Sequence, residues 1–179
     1  MEPVIRELRS RFTLLDPEEI ERSEALLELF GARSRLTPYR NFAIEFDTPP
    51  CRLLLEGRTL IVFGHDLGGY FAVDAENETV VYVHQEDGLY RLMFCNSNFG
   101  DFAAFHNSFL EQVQRRIKFR GSLQESANEL ELFFGRRDPR ATERDDLFWP
   151  MRLYELADGL FPLNDSRINF YQSMLDAEN

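Results

Sequence analysis

The sequence predicts an α+β fold in which a mainly antiparallel, six-stranded meander sheet is flanked by N- and C-terminal helices. Three observations carry this. Apolar residues recur at helical spacing before Gly31 and after Asn98, but alternate or run continuously between Asn41 and Cys95. Within that middle block the strand-like runs are separated by short turn signals, so consecutive strands pair antiparallel. No helical stretch interrupts the block, which argues against a doubly wound nucleotide-binding sheet.

Taken in order, residues 3–12 read as a short helix with Val4, Leu8 and Phe12 spaced by four. A second helix opens with Asp16 as cap, Pro17 at the first helical position and Glu18 and Glu19 at its positive end. Its stripe is Ile20, Leu26, Leu27 and Phe30, and Gly31 ends it. Phe42, Ile44 and Phe46 alternate with Ala43 and Glu45 as in a half-buried strand. Leu53–Glu56 and Thr59–Phe63 flank a tight turn at Glu56-Gly57, and the unbroken run Leu60-Ile61-Val62-Phe63 implies a strand buried on both faces. Tyr70–Asp74 and Thr79–His84 flank a turn at 75–78, and Asp87-Gly88 is a two-residue hairpin signal leading to Leu89–Cys95.

Beyond the strands, Asn98 and Asp101 open a helix with the stripe Phe102, Phe105, Phe109, Val113 and Ile117. Ser122-Leu123-Gln124-Glu125 is a capping box, followed by Ala127, Leu130, Phe134 and a terminating Gly135. Asp138-Pro139 marks a loop, a further helix runs from about Asp146 to Gly159, and Ile168, Tyr171 and Leu175 suit a last short one. No boundary divides the chain, so residues 1–179 are expected to form one domain with its helices on one face of the sheet.

Composition narrows the function. The 179 residues carry 31 acids against 20 bases, a net charge of −11. Such a surface disfavours nucleic acid and anionic membranes, whose phosphates require bases, and admits a basic protein partner. The chain begins without a basic, apolar leader and has no long apolar run, so a cytoplasmic location is expected. Cys51 and Cys95 are the only cysteines, too few for a disulfide framework.

No catalytic, cofactor-binding or metal-ligating set emerges. The nucleophile-elbow, zinc-helix, paired-cysteine and phosphate-loop patterns are missing. If Asp87-Gly88 is the turn, His84 pairs with Arg91 and Cys95 falls opposite Val80, roughly 13 Å along the ladder from His84 and too far for a dyad. The 75–78 turn sets His84 opposite Gly69, near His65 and Asp66; two histidines and a carboxylate can bind a metal, but nothing in the spacing supports the third position. His106 and Trp149 read as packing residues.

One feature remains. The 32 residues between Arg58 and Arg91 contain no Lys or Arg, yet hold Asp66, Asp74, Glu76, Glu78, Glu86 and Asp87. All six fall at strand ends or turns, so they are expected to be exposed. Asp74, Glu76 and Glu78 gather at one end of the sheet, and Asp66, Glu86 and Asp87 at the other. A single-sign field of this kind speeds encounter with a basic partner, and the six are the candidate partner-binding residues.

The run Val62-Phe63-Gly64-His65-Asp66-Leu67-Gly68-Gly69-Tyr70-Phe71-Ala72-Val73-Asp74 resembles the central motif of the SUKH superfamily. Thr79–His84 matches its following strand, and Asn96-Ser97-Asn98-Phe99-Gly100-Asp101-Phe102 its strand-to-helix junction. Asp146-Leu147-Phe148-Trp149-Pro150, with Glu155 behind it, is similar to the last helix of the fourth subgroup. The resemblance spans about 42–160, leaving 163–179 as an additional tail. Beside the resemblance, the residues themselves let Asp66 cap the turn through its side chain and Gly68 or Gly69 take a positive φ. The resemblance implies a SUKH-like immunity protein that binds and neutralises a bacterial toxin, often a nuclease, without catalytic residues. The alternative it leaves is an adaptor or regulator that binds a cellular protein.

Overall fold

The computed structural model describes residues 8, 10–37, 44–46, 49–66, 68–119 and 122–159, with 116–119 described by backbone alone. Six strands lie in sequence order across one antiparallel sheet: β1 (Phe12–Leu14), β2 (Cys51–Leu55), β3 (Arg58–His65), β4 (Gly69–Asp74), β5 (Val80–Glu86) and β6 (Leu89–Asn96). Glu56-Gly57 closes the Leu55↔Arg58 pair with φ of 52° and 79°, and Asp87-Gly88 closes Glu86↔Leu89 with 52° and 77°. Positive φ at both central residues gives the turn twist that matches twisted strands, which is why Gly occupies the second position of each.

The first strand is not the expected one. Of the run 42–46, residues 42 and 43 lie outside the described residues, and Glu45 makes only an isolated bridge to His65. The sixth strand comes instead from β1, which pairs Phe12 with Leu53 and Leu14 with Cys51. Phe12, read as the end of a helix, packs edge-on against Tyr70 at 4.9 Å, a long-range contact that local spacing does not show.

The single helix expected from Asp16 is two. Asp16 accepts the Glu18 N–H at 2.9 Å and opens α1 (Pro17–Arg22). Ser23 then leaves helical geometry and its Oγ takes the Leu26 N–H at 3.3 Å, starting α2 (Glu24–Arg33). Gly31 lies inside α2, whose buried residue is Leu29, while Leu27 is exposed. In α3 (Phe99–Phe119), Asn98 accepts the Asp101 N–H at 2.9 Å and donates to its carboxylate at 2.7 Å. Ser122 caps α4 (Leu123–Arg137), which runs past Gly135 to Asp138 before a 3-10 turn at Pro139–Thr142. Finally, α5 spans Phe148–Ala157. The expected helix over Ile168, Tyr171 and Leu175 lies outside the described residues.

Strand alternation divides the core in two. Ile61, Phe63, Phe71, Tyr82 and Cys95 face α3–α5 and pack with Phe102, Phe105, Phe134 and Trp149. Leu53, Leu60, Val62, Tyr70, Ala72 and Val83 face the other way, and they too are buried, together with Leu8. Helices α1–α5 pack on the first face, whereas Leu8, also helical, is buried on the second, so both faces are covered. Residues 60–63 are accordingly buried in succession, as their unbroken apolar run implied.

Within β2 the two faces give a direct test. Leu53 is fully buried, whereas the adjacent Leu54 is 66% exposed. Leu53→Ala should cost about 2–5 kcal/mol and Leu54→Ala less than about 0.5 kcal/mol in urea unfolding. Equal losses at the two positions would contradict the strand's orientation.

Candidate partner-binding surface

Two of the six acids expected at the surface are buried: Asp66 is 6% exposed and Asp74 fully enclosed. Asp66 sits where β3 turns into β4. Its Oδ1 accepts the N–H groups of Gly68 (2.9 Å) and Gly69 (3.0 Å) and the Tyr82 hydroxyl. Its Oδ2 takes the Arg152 guanidinium of α5 at 2.8 Å. Arg152 also donates to Glu155 at 2.8 Å and lies over the Phe148 ring. Burial opposes the guanidinium's charge, but the Asp66 and Glu155 carboxylates outweigh it and raise its pKa. Burial, then Asp66, likewise holds the Tyr82 hydroxyl well above its ordinary value, so it stays a donor.

Asp74 ends β4. Arg58 donates to its Oδ2 through Nε at 2.7 Å and through Nη2, and the Glu76 N–H reaches Oδ1 at 2.9 Å. Glu86 faces Arg91 at 3.8 Å across the hairpin. The two arginines that bound the acid-only stretch therefore each engage an acid inside it. Glu76, Glu78 and Asp87 are exposed and form no ion pair among the described residues. Glu76 and Glu78 stand at one end of the sheet and Asp87 at the other, an arrangement suited to attracting a cation-bearing surface and not to holding a reacting group.

The family model described as SUKH-4 immunity protein matches residues 53–155, from β2 to α5. The chain belongs to the SUKH-4 immunity protein family. No curated protein and no solved structure matches it.

The SUKH-4 motif is thus an architectural device here. Gly69 lies outside the positive-φ region; a Cβ there would stand 2.2 Å from the Val83 carbonyl, so close approach demands glycine. At Gly64 a Cβ would stand 2.4 Å from the Phe46 ring. The strand-to-helix junction is tied to α5 in the same manner. Trp149 Nε1 donates to Asn96 Oδ1 at 2.7 Å, and Asn96 Nδ2 donates to the buried Asp138 at 3.2 Å. Asp138 also receives the Ser97 N–H at 2.7 Å and the Ser97 hydroxyl at 2.9 Å. The sequence showed Asn96-Ser97 and Trp149 as separate matches, and the Asp66–Arg152 pair not at all.

The remaining leads separate. Val80 pairs with Asn96 and Val81 with Phe94, so Cys95 is the extra residue of a bulge and not the partner of Val80. Both cysteines are free and buried, and burial pushes the Cys95 thiol well up. His84 does pair with Gly69, but it lies on the Tyr82 face, whereas His65 shares the opposite face with Tyr70. Among the described residues no group of three metal-ligating side chains forms. His106 is buried in α3, edge-on to Phe46, with Nε2 2.8 Å from the Thr37 carbonyl. Burial lowers its pKa to about 4.

Two tests follow for SUKH-4 packing. Arg152→Met leaves a buried carboxylate without its cation and should cost about 3–5 kcal/mol in urea unfolding read by Trp149 fluorescence. Adding Asp66→Asn should recover part of that loss, and a single-variant loss under about 1 kcal/mol would count against the pair.

The second test concerns pH. His106 is depressed in the folded state, so its contribution is complete above the ordinary value near 6.5 and is lost as pH falls toward about 4. The loss is on the order of 3 kcal/mol. His106→Gln should flatten the stability profile across that window. A variant as acid-sensitive as wild type would exclude His106 as the source.

Proposed function

We propose that this chain is a cytoplasmic, stoichiometric inhibitor that binds and neutralises one bacterial toxin, with no catalytic role and no cofactor. Membership of the SUKH-4 immunity family over residues 53–155 is the observation that carries it. We read residues 1–179 as one binding unit. Its partner is a protein with a basic contact surface, not nucleic acid or a membrane. The net charge of −11 and the unpaired Glu76, Glu78 and Asp87 support that chemistry. A nuclease toxin fits best, because an enzyme that grips phosphates must itself be basic. Since a few free toxin molecules suffice for damage, the complex belongs at the tight end of the affinity scale, near ~10⁻¹³ M.

Of the six candidate contact acids, Asp66 and Asp74 serve the fold, and Glu86 is shared with Arg91. Glu76, Glu78 and Asp87 are therefore the residues to reverse. Association of wild type and the Glu76→Lys/Glu78→Lys/Asp87→Lys variant should be measured against the toxin domain encoded beside this chain. The variant should associate about tenfold more slowly at low salt with an unchanged circular dichroism spectrum, and the wild-type rate should fall as salt rises. Equal rates would remove these acids from the encounter. Absence of wild-type binding would remove the immunity reading for that pair.

A further inference from the structure

A groove of about 580 Å³ opens between α2, the sheet and the start of α3. Its floor is apolar, made by Ile61 of β3, Val73 of β4 and Phe99 of α3, and Leu26, Leu29 and Ala32 of α2 form one wall. Leu29 and Ile61 are buried in the core, whereas Leu26, Ala32, Val73 and Phe99 are half-buried, so part of this lining stays reachable. A concavity with a partly apolar lining and a polar rim can take up a side chain of another molecule.

The rim decides what kind. Glu19 is engaged by Arg52, and Asp74 by Arg58. Glu28 and Glu78 line the groove and have no ion-pair partner among the described residues, and exposed Glu76 lies in the same turn as Glu78. Arg35 also lines it and has no ion-pair partner among the described residues. The opposite end of the sheet is poorer on both counts: Asp66 is buried, Glu86 faces Arg91, and Asp87 stands alone. Of the two ends of the sheet, the α2 end is the one where, among the described residues, apolar lining and carboxylates without an ion-pair partner meet.

We infer that the toxin docks here, inserting an apolar side chain flanked by Lys or Arg between α2 and the sheet. The inference rests on the immunity reading and places its contact at one end of the sheet. The apolar side chain supplies the desolvated anchor that dominates interface energy, and the carboxylates at the rim select and steer its basic neighbours. Ala32 matters because its small side chain keeps the groove open.

The toxin domain encoded beside this chain is the probe, and calorimetric affinity is the readout, with circular dichroism as the check on folding. Ala32→Trp fills the groove without changing charge and should weaken binding by about 30-fold or more. Glu28→Lys/Glu78→Lys, confined to exposed positions, should weaken it comparably, whereas Asp87→Lys should stay within about threefold of wild type. Folded groove variants that bind like wild type would overturn the groove while leaving the immunity reading intact. Failure of wild type itself to bind would remove the immunity reading and the groove with it. Groove variants that change the self-association of the free protein and not its affinity for the toxin would show a second copy as the occupant and also overturn the proposal.

Discussion

A single buried carboxylate holds the architecture together. Asp66 accepts two backbone N–H groups from its own turn, a hydroxyl from β5 and a guanidinium from α5. An ionised carboxylate withdrawn from water is costly unless every lone pair is answered, and here the answers come from three separate elements. Turn, sheet and last described helix must therefore be in place together. The glycines around Asp66 follow from this: Gly68 and Gly69 bring their amides within reach, and side chains there would collide with Tyr82 or the β5 backbone.

That arrangement separates what makes the family recognisable from what meets a partner. The motif residues point inward and tie the sheet to α5, as do Asn96, Asp138 and Trp149. Under the proposed function, recognition of a toxin falls to side chains outside those networks, at turns and along α2. Such positions can change with little consequence for folding, since exposed substitutions away from packing features usually have small effects.

Much of the sheet was legible because its determinants are local. Glu56-Gly57 and Asp87-Gly88 encode their own turn geometry, and the run 60–63 encodes burial on both faces. Several of the errors occur where a distant partner decides, and others where a local irregularity breaks the pattern. β1 exists because residues 12–14 find β2 some forty positions on, and nothing near Phe12 signals that pairing. Ser23 splits a continuous helical pattern by capping its own successor. The acids of 59–90 look alike in sequence, but Arg152 reaches Asp66 across 86 positions and Arg58 reaches Asp74 across 16. A one-residue bulge moved Cys95 out of its expected register. The acidic surface was thus read correctly as a tendency and incorrectly as a set, because exposure is a tertiary property.

The distance between Asp66 and Arg152 also orders events during synthesis. The strands and their turns leave the ribosome before α5 exists, so Asp66 waits for its cation while 86 further positions are translated. At ordinary elongation rates that interval lasts about 4–17 s. Throughout it Asp66 lacks its cation and has only the Gly68 and Gly69 amides and the Tyr82 hydroxyl to answer it. Completion of the fold is thereby coupled to the arrival of α5, and a chain cut short before Arg152 would lack the final latch.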